Sequence, residues 1–373
     1  MIRNVPKLTR LLSSLLGCIV VLYSSRVGHA ASPNVAQLLT KAQQGFVNQE
    51  IELAEAYLTG KGVPPDPALA AHWYEKAAES GNAEAQNLVG HFYASGIGVS
   101  ADPARALRWY QLARASGSSS ATLNIGVLYA LGLGVTKDVD LAAKYFHDAF
   151  DKGNGRAAGF LGVMNYFGIG AEQDLAAAER WFDAGEKLHD PVSTYNLGTL
   201  YSVSPDHPHD PVRAARLLRQ SADAGYVPAI HALGLLLIHH PELAKFPGES
   251  QGLVESAADA GYWRSSMLLG IMSRDGVNVP KDDKGAFYHF QLAVLQGGAD
   301  VQRLLTNDID KLNERLGTGQ TQALESEAKI WFQQHHFALN FVHVKGHKFL
   351  PIPGNPDPSD VLRAGMPFPN HGL

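Results

Sequence analysis

The chain has 373 residues, 45% of them hydrophobic, with 31 Lys and Arg against 36 Asp and Glu, for a net charge of −5. Without a basic run, this acidic balance disfavours a nucleic-acid partner and binding to an anionic membrane surface. Cys18 is the single cysteine, which excludes an intramolecular disulfide and a cysteine-based metal cluster.

Residues 1–30 have the pattern of a secretory signal peptide. Three basic residues, Arg3, Lys7 and Arg10, precede an apolar run at 11–23, which is too short to cross a bilayer comfortably. Small residues at 28 and 30 suit signal peptidase. The sequence therefore predicts cleavage near Ala30 and a periplasmic or secreted protein with no membrane span.

Two alternatives remain for this leader. It is retained as an anchor, or it is lipidated at Cys18, which follows Leu15-Leu16-Gly17. The apolar run continues past Cys18 to Leu22, which argues against lipidation. Cleavage leaves 27 basic against 36 acidic residues, a net charge near −9, and no cysteine.

After the leader, residues 35–45 and 50–60 predict two helices that form an N-terminal cap. From there a 36-residue period dominates the chain, and two glycine positions mark it. One is occupied at Gly45, Gly81, Gly117, Gly153, Gly225, Gly261 and Gly297, with His189 as the exception; the other is occupied at Gly90, Gly126, Gly162, Gly198, Gly234 and Gly270. Fixed-period self-similarity of this kind is typical of a solenoid.

Residues 85–117 show what one repeat encodes. Ala85, Val89 and Phe92 share one face of a first helix, here called helix A. Gly90 lies within that face, where glycine costs roughly 1 kcal/mol relative to alanine, so it indicates close approach of another helix. Gly96 then ends helix A.

The second helix of each repeat, helix B, begins at an aspartate. Asp102 is a good N-cap, and Pro103 is tolerated at the first helical position. Ala106, Trp109 and Tyr110 form the buried stripe that follows. One such helix pair cannot bury its apolar face alone, so the pairs are expected to stack on their neighbours.

The combined pattern of L-G-x-x-Y, G-x-G-V, an aspartate cap, W-Y and A-x-x-x-G resembles the Sel-one-like repeat, a relative of the tetratricopeptide repeat, over roughly residues 36–298. The resemblance implies an all-α fold, a right-handed superhelical α/α solenoid of antiparallel helix pairs. It also implies an adaptor that binds other proteins, in bacteria often within signalling or cell-envelope assemblies.

The predicted organisation is a signal peptide (1–30), a solenoid with an N-terminal cap and about seven repeats (33–298), capping helices (299–341) and a proline-rich extended tail (342–373). The centre of the array, roughly 189–250, departs most from the pattern. His189 replaces a glycine and Phe246 replaces an aspartate cap. Such departures indicate either neutral sequence divergence or a functional site.

The partner-binding surface is predicted on the concave face, which helix A lines in related repeats. Side chains at these positions are small or polar in the first repeats and become larger and more apolar from Tyr166 onward. The predicted binding residues are Tyr166, Tyr195, His231, Met267, Ile271 and Arg274. The alternative is that these side chains pack inside a tighter superhelix.

No catalytic, metal or cofactor site is predicted. His207 and His209 with Asp206 and Asp210 could bind a divalent ion, but adjacent loop residues rarely converge on one metal. Adjacent histidines occur at 239–240 and 335–336. Neighbouring side chains on a helix point about 100° apart, so the two histidines of a pair do not bind one metal ion together. No P-loop, G-x-S-x-G or H-E-x-x-H motif occurs in the sequence.

The alternative functions are a cell-wall or β-lactam hydrolase, as proposed for some exported relatives, and a self-associating structural protein. The oligomeric state stays open.

Overall fold

The computed structural model describes residues 33–203 and 208–339. Within these residues the chain forms helices joined by short loops and contains no strand, which confirms the all-α class. The predicted signal peptide, Cys18 and the predicted tail lie outside the described residues, as do Asp206 and His207.

The chain forms two compact units, divided between Asn154 and Gly155. The described part of the first unit holds α1 (Pro33–Gln43), α2 (Val47–Thr59), α3 (Pro67–Glu79), α4 (Ala83–Ser95), α5 (Pro103–Ala115), α6 (Ser119–Leu131) and α7 (Val139–Asp151). Here α2, α4 and α6 are A helices, and each packs against the B helix that follows it.

The described part of the second unit continues the alternation. Its helices are α8 (Gly155–Phe167), α9 (Leu175–Lys187), α10 (Pro191–Val203), α11 (Pro211–Asp223), α12 (Val227–His239), α13 (Glu249–Asp259), α14 (Trp263–Asp275), α15 (Asp283–Leu316) and α16 (Thr318–Leu339). A 3-10 turn at Pro241–Leu243 follows α12. None of the described helices in either unit has the length and apolar composition needed to cross a membrane.

The aspartate caps form as predicted. The Asp102 carboxylate accepts a hydrogen bond from the Arg105 amide at 2.9 Å, and Asp210 accepts one from the Arg213 amide at the same distance. Each cap satisfies an amide that the first turn of a helix leaves without a backbone partner. The caps therefore fix where the B helices begin.

The glycines inside the A helices make room for a buried ring. A Cβ atom at Gly126 would lie 2.6 Å from a ring carbon of Phe146, and one at Gly270 would lie 2.4 Å from Phe290. Both rings are fully buried. This confirms the predicted close approach, made here by the paired B helix.

His189 adopts the backbone conformation that its repeat position requires. Its φ angle is 58°, whereas glycines at the same position, such as Gly117 and Gly153, have φ of 89° and 83°. His189 therefore preserves the turn of the repeat, although a residue with a side chain pays a free-energy cost in this left-handed region that glycine avoids.

Polar contacts join the B helix of one repeat to the next repeat along the chain. In the first unit the Tyr93 hydroxyl donates to Glu75 at 3.0 Å, and Arg105 pairs with Glu75 and lies 4.2 Å above the Tyr93 ring. In the second unit Tyr201 donates to Glu179 while Arg213 lies 4.2 Å above the Tyr201 ring. This contact is not predictable from the repeat pattern alone.

The irregular repeat at 227–261 begins its B helix differently. The N-cap of α13 is Gly248, whose φ is 83°, and no side chain caps the helix. Instead the Glu249 side chain accepts a hydrogen bond from the Lys245 amide at 2.6 Å and pairs with Arg219 of α11. A buried ion pair thus replaces the aspartate cap that the sequence lacks at Phe246.

The C-terminal helices extend the core of the second unit. Helix α15 breaks at Gly298, where φ is 74° and ψ is −157°. Beyond the break, Val301, Leu305 and Leu312 join a cluster that contains Phe287 and Phe290. The last described helices therefore pack on the final repeat.

Candidate functional site

One stripe of side chains along the A helices of the second unit is mostly half-buried. We call it the A-helix face. It consists of Tyr166 on α8, Tyr195 on α10, His231, Leu235 and Ile238 on α12, and Arg264, Met267, Ile271 and Arg274 on α14. Positions three and four apart share one side of a helix, and each of these side chains except Met267 is half-buried. The face contains all six predicted binding residues.

Two tyrosines at helix N-caps fill the spaces between successive A helices. The Tyr226 ring meets Tyr195 edge-on at 5.3 Å, and Tyr262 meets His231 in the same way at 5.2 Å. Neither tyrosine makes the side-chain cap hydrogen bond that Asp and Asn caps make elsewhere. Aromatic packing has replaced capping in this part of the array.

His231 is held at the joint between α12 and α14. Its Nδ1 lies 2.8 Å from Oγ of Ser265, a fully buried residue. Burial lowers the pKa of His231 to about 4, and the positive charge of Arg264 acts in the same direction. The imidazole is therefore neutral in the folded protein near neutral pH.

Replacing His231 with glutamine should flatten the pH dependence of stability. A lowered histidine pKa contributes stability above the unfolded value of about 6.5, and that stability is lost as pH falls toward about 4. The slope from one such group is at most about 1.4 kcal/mol per pH unit. Urea unfolding of wild type and His231→Gln, followed by circular dichroism at several pH values across this window, measures the difference.

The matched control is His209→Gln, at an exposed loop position of the same unit. This control should follow the wild-type curve. Wild-type and His231→Gln curves that stay parallel throughout the window would contradict the assignment of a neutral, buried imidazole.

The predicted residues on α14 differ in what they can offer a partner. Met267 is only 8% exposed and lies in the cluster with Phe287 and Phe290, against which Ile271 also packs. Arg274 hydrogen-bonds Asp275 and also donates to Asp308 at 2.8 Å. Ile271 and Arg274 thus remain accessible, whereas Met267 mainly supports the face from beneath.

Arg264 belongs to the A-helix face, although it was not among the six predicted binding residues. Its guanidinium lies 4.6 Å from the centre of the Trp263 ring, and Nη1 donates to the Tyr262 hydroxyl at 3.4 Å. The available signal was spacing, since Arg264 precedes Met267 by three residues. Tyr166, at the other end of the face, packs edge-on against Phe167.

The histidine-rich segments do not form a metal centre in the described residues. No group of three or more His, Cys, Asp or Glu side chains between 33 and 339, apart from the undescribed 204–207, could hold a metal ion. Asp210 caps α11, and His240 lies 3.1 Å from Glu242. His207 lies outside the described residues.

A cavity of about 610 Å³ lies in the first unit. Its polar lining includes Tyr93, Asp102 and Arg105. Asp102 already caps α5, and Tyr93 and Arg105 both bind Glu75. Because these groups are used within the fold, the cavity is a weaker candidate than the A-helix face.

The fold defines a helical repeat solenoid, and the A helices of its second unit carry the mostly half-buried A-helix face. The Sel1 repeat family model matches residues 50–82, 83–118, 119–154, 155–185, 191–226 and 264–298. This chain belongs to the Sel1 repeat family, the Sel-one-like repeat that its motifs resemble. The stretch between the last two matches, residues 227–263, contains the irregular repeat at 227–261.

The chain is similar to solved structures, one of which, with a TM-score above 0.5, agrees with this assignment. A Sel1 repeat protein from Oxalobacter formigenes is 26% identical, with a TM-score of 0.51 over 58% of this chain and 89% of its own. The protective antigen c5321 of uropathogenic Escherichia coli, described as displaying an SLR fold, is 26% identical over 91% of this chain and 74% of its own, with a TM-score of 0.47.

Comparison with curated proteins found no match. Sel1 repeat proteins are generally protein-interaction scaffolds, and the family is typically non-enzymatic. Family membership indicates this general class of function and specifies neither a partner nor a binding surface.

Proposed function

We propose that this protein is a non-enzymatic adaptor of the cell envelope that binds a partner protein or peptide on its A-helix face. Through that partner it regulates a signalling, secretion or polysaccharide assembly. Family membership supports the scaffold role. The choice of surface rests on the A-helix face, where mostly half-buried aromatic, aliphatic and arginine side chains lie along the A helices of the second unit.

The energetic centre of this surface is expected between α12 and α14. Leu235, Ile238 and Ile271 are half-buried there, so a partner would remove their remaining apolar area from water. Arg264 and Arg274 lie toward the two ends of α14. Interfaces commonly combine an apolar centre with arginine and aromatic anchors.

The proposed compartment rests on the leader sequence alone. Residues 1–30 combine basic residues, an apolar run and a small-residue cleavage pattern. Cell fractionation with N-terminal sequencing of the mature chain tests it. A chain that begins after Ala30 in the periplasmic fraction supports the proposal, and a cytoplasmic chain with its leader intact contradicts it.

Introducing a carboxylate at Ile271 should abolish partner capture. In a crosslinking pull-down from envelope extract with the full chain as bait, Ile271→Glu places a charge in an apolar contact, and Tyr195→Ala removes an aromatic anchor. We expect at least about a tenfold loss of captured partner for each variant, measured by quantitative mass spectrometry.

The control for this experiment is Val212→Glu on α11. Val212 is 65% exposed but lies on a B helix, away from the A-helix face. It should retain wild-type capture, and circular dichroism should show that all variants fold. Unchanged capture by folded Ile271→Glu and Tyr195→Ala would show that binding occurs elsewhere.

A further inference from the structure

One position of the repeat holds an acidic residue in the first A helix and uncharged residues in the later ones. Glu50 on α2 occupies it first, and its equivalents at 36-residue spacing are Gln86, Thr122, Ala158, Thr194, Ile230 and Ser266. Glu50 is 3% exposed, and its Oε2 has no hydrogen-bond partner among the described residues. Because a buried carboxylate oxygen without a partner is unfavourable, this acid requires an explanation.

Gln86 shows what the position does in the next repeat. Its Nε2 donates a hydrogen bond to the Ala78 carbonyl at 3.2 Å, which ties α4 to the last turn of the preceding helix α3. The same carbonyl accepts a hydrogen bond from the Gly81 amide at 3.0 Å. Gln86 therefore supplies a second donor to an acceptor that lies at the joint between two repeats.

The turn before α2 has the same backbone geometry. The Gly45 amide donates to the Ala42 carbonyl at 3.0 Å, and the φ angle of Gly45 is 86°, against 90° at Gly81. Ala42 is buried in the last turn of α1. The repeat thus predicts that the Glu50 carboxyl group lies beside the Ala42 carbonyl. A protonated carboxyl group can donate a hydrogen bond to that carbonyl, whereas an ionised one has no hydrogen to donate.

Burial is the main influence on the proton affinity of Glu50, and it raises the pKa of the carboxyl group above the ordinary value of 4.5. On α3, Lys76 lowers this pKa and Glu79 raises it, both with smaller effects than burial. The single charged residue of α1, Lys41, is exposed, and no charged residue lies three or four positions from Glu50 on α2 itself. The folded protein therefore binds this proton more tightly than the unfolded chain does.

We propose that Glu50 is a proton-dependent latch for α1, which donates a hydrogen bond to the Ala42 carbonyl when protonated and loses that contact when ionised. A raised carboxyl pKa gives a contribution that is complete below the unfolded value and is lost as pH rises through the folded value. The units of a repeat array are held mainly by their neighbours, so α1 can open while later repeats stay folded. The latch is a regulatory element beyond the proposed adaptor function and does not depend on it.

Hydrogen–deuterium exchange of the full chain, measured by mass spectrometry from about pH 4 to about pH 7, tests the latch. Each rate is divided by the intrinsic exchange rate at the same pH. In wild type, the protection of residues 33–43 should fall by about tenfold across this range, because an unsatisfied buried polar group costs about 1–3 kcal/mol. Glu50→Gln, which supplies the donor that Gln86 supplies in the next repeat, should keep the protection of α1 high throughout.

The matched control is Glu52→Gln, which makes the same substitution at an exposed position of α2. It should follow the wild-type profile, and helix α4, held by Gln86 at every pH, should show no comparable fall. Wild-type protection of α1 that does not change with pH would overturn the latch. The same fall in Glu50→Gln as in wild type, or its loss in Glu52→Gln, would also overturn it.

Discussion

Replacing Glu249 with alanine should lower the free energy of unfolding by about 3 kcal/mol. Glu249 is 6% exposed and pairs with Arg219, whose side chain is 18% exposed, so the variant leaves a guanidinium in a largely dehydrated site. Removing one partner of a buried ion pair costs about 3–5 kcal/mol. The variant also frees the Lys245 amide, which donates to Glu249 at the start of α13.

The matched control is Glu255→Ala on the same helix, which removes the same charge from an exposed position. It should change stability by less than about 0.5 kcal/mol. Chemical unfolding followed by circular dichroism measures both variants. Equal losses for the two would show that the Arg219 pair contributes nothing specific, and the double variant with Arg219→Ala should lose less than the sum of the single variants.

Acid should remove the contribution of Glu249. Burial on its own raises the pKa of this carboxyl group, but the Arg219 side chain and the Lys245 amide outweigh burial and hold the pKa below its ordinary value. A lowered carboxyl pKa stabilises the fold above the unfolded value and stops doing so as pH falls through the folded value. The gap between wild type and Glu249→Ala should therefore close in acid.

The same substitution, glycine to alanine, should have opposite effects at two helical positions. At Gly270 the new Cβ would lie 2.4 Å from carbons of the fully buried Phe290 ring, and we expect a loss of about 2 kcal/mol from overpacking. At Gly252 nothing lies within 4 Å. There the better helix propensity of alanine should raise stability by about 0.5–1 kcal/mol.

Urea unfolding of wild type and the two glycine variants tests this prediction. The unfolding midpoint should fall for Gly270→Ala and rise for Gly252→Ala. A loss at both positions would mean that propensity does not govern Gly252. A gain at both would mean that the Phe290 ring moves aside at little cost. The second result would remove close helix approach as the reason for the recurring glycine, whereas the first would leave it intact.

The helix pairs were predictable because their signals are local. The Asp102 cap, the Gly96 stop and the recurring Gly90 position each act within one helix or one pair, and repetition at 36 residues makes them visible without other information. His189 was the one unexplained exception at its position. Its φ of 58° shows that the turn is imposed by the flanking helices.

The contacts between repeats were not predictable in the same way. Tyr226 and Tyr262 stand at positions where a polar cap is expected, and their packing against Tyr195 and His231 depends on how far apart successive A helices lie. The burial of Met267 depends likewise on the rings of the following helix. Period and composition carry no such distances, so the six residues could be assigned to A helices from the sequence, but the burial of each could not.

The ion pairs of the second unit have a consequence for how such a chain changes over evolutionary time. Arg219 reaches only from α11 to α13, and Arg274 only from α14 to the next helix. Stability in repeat arrays is a sum over individual units and adjacent interfaces. A mutation therefore disturbs its own module and the adjoining ones, so a single divergent module can acquire new recognition chemistry while distant modules keep their ancestral architecture.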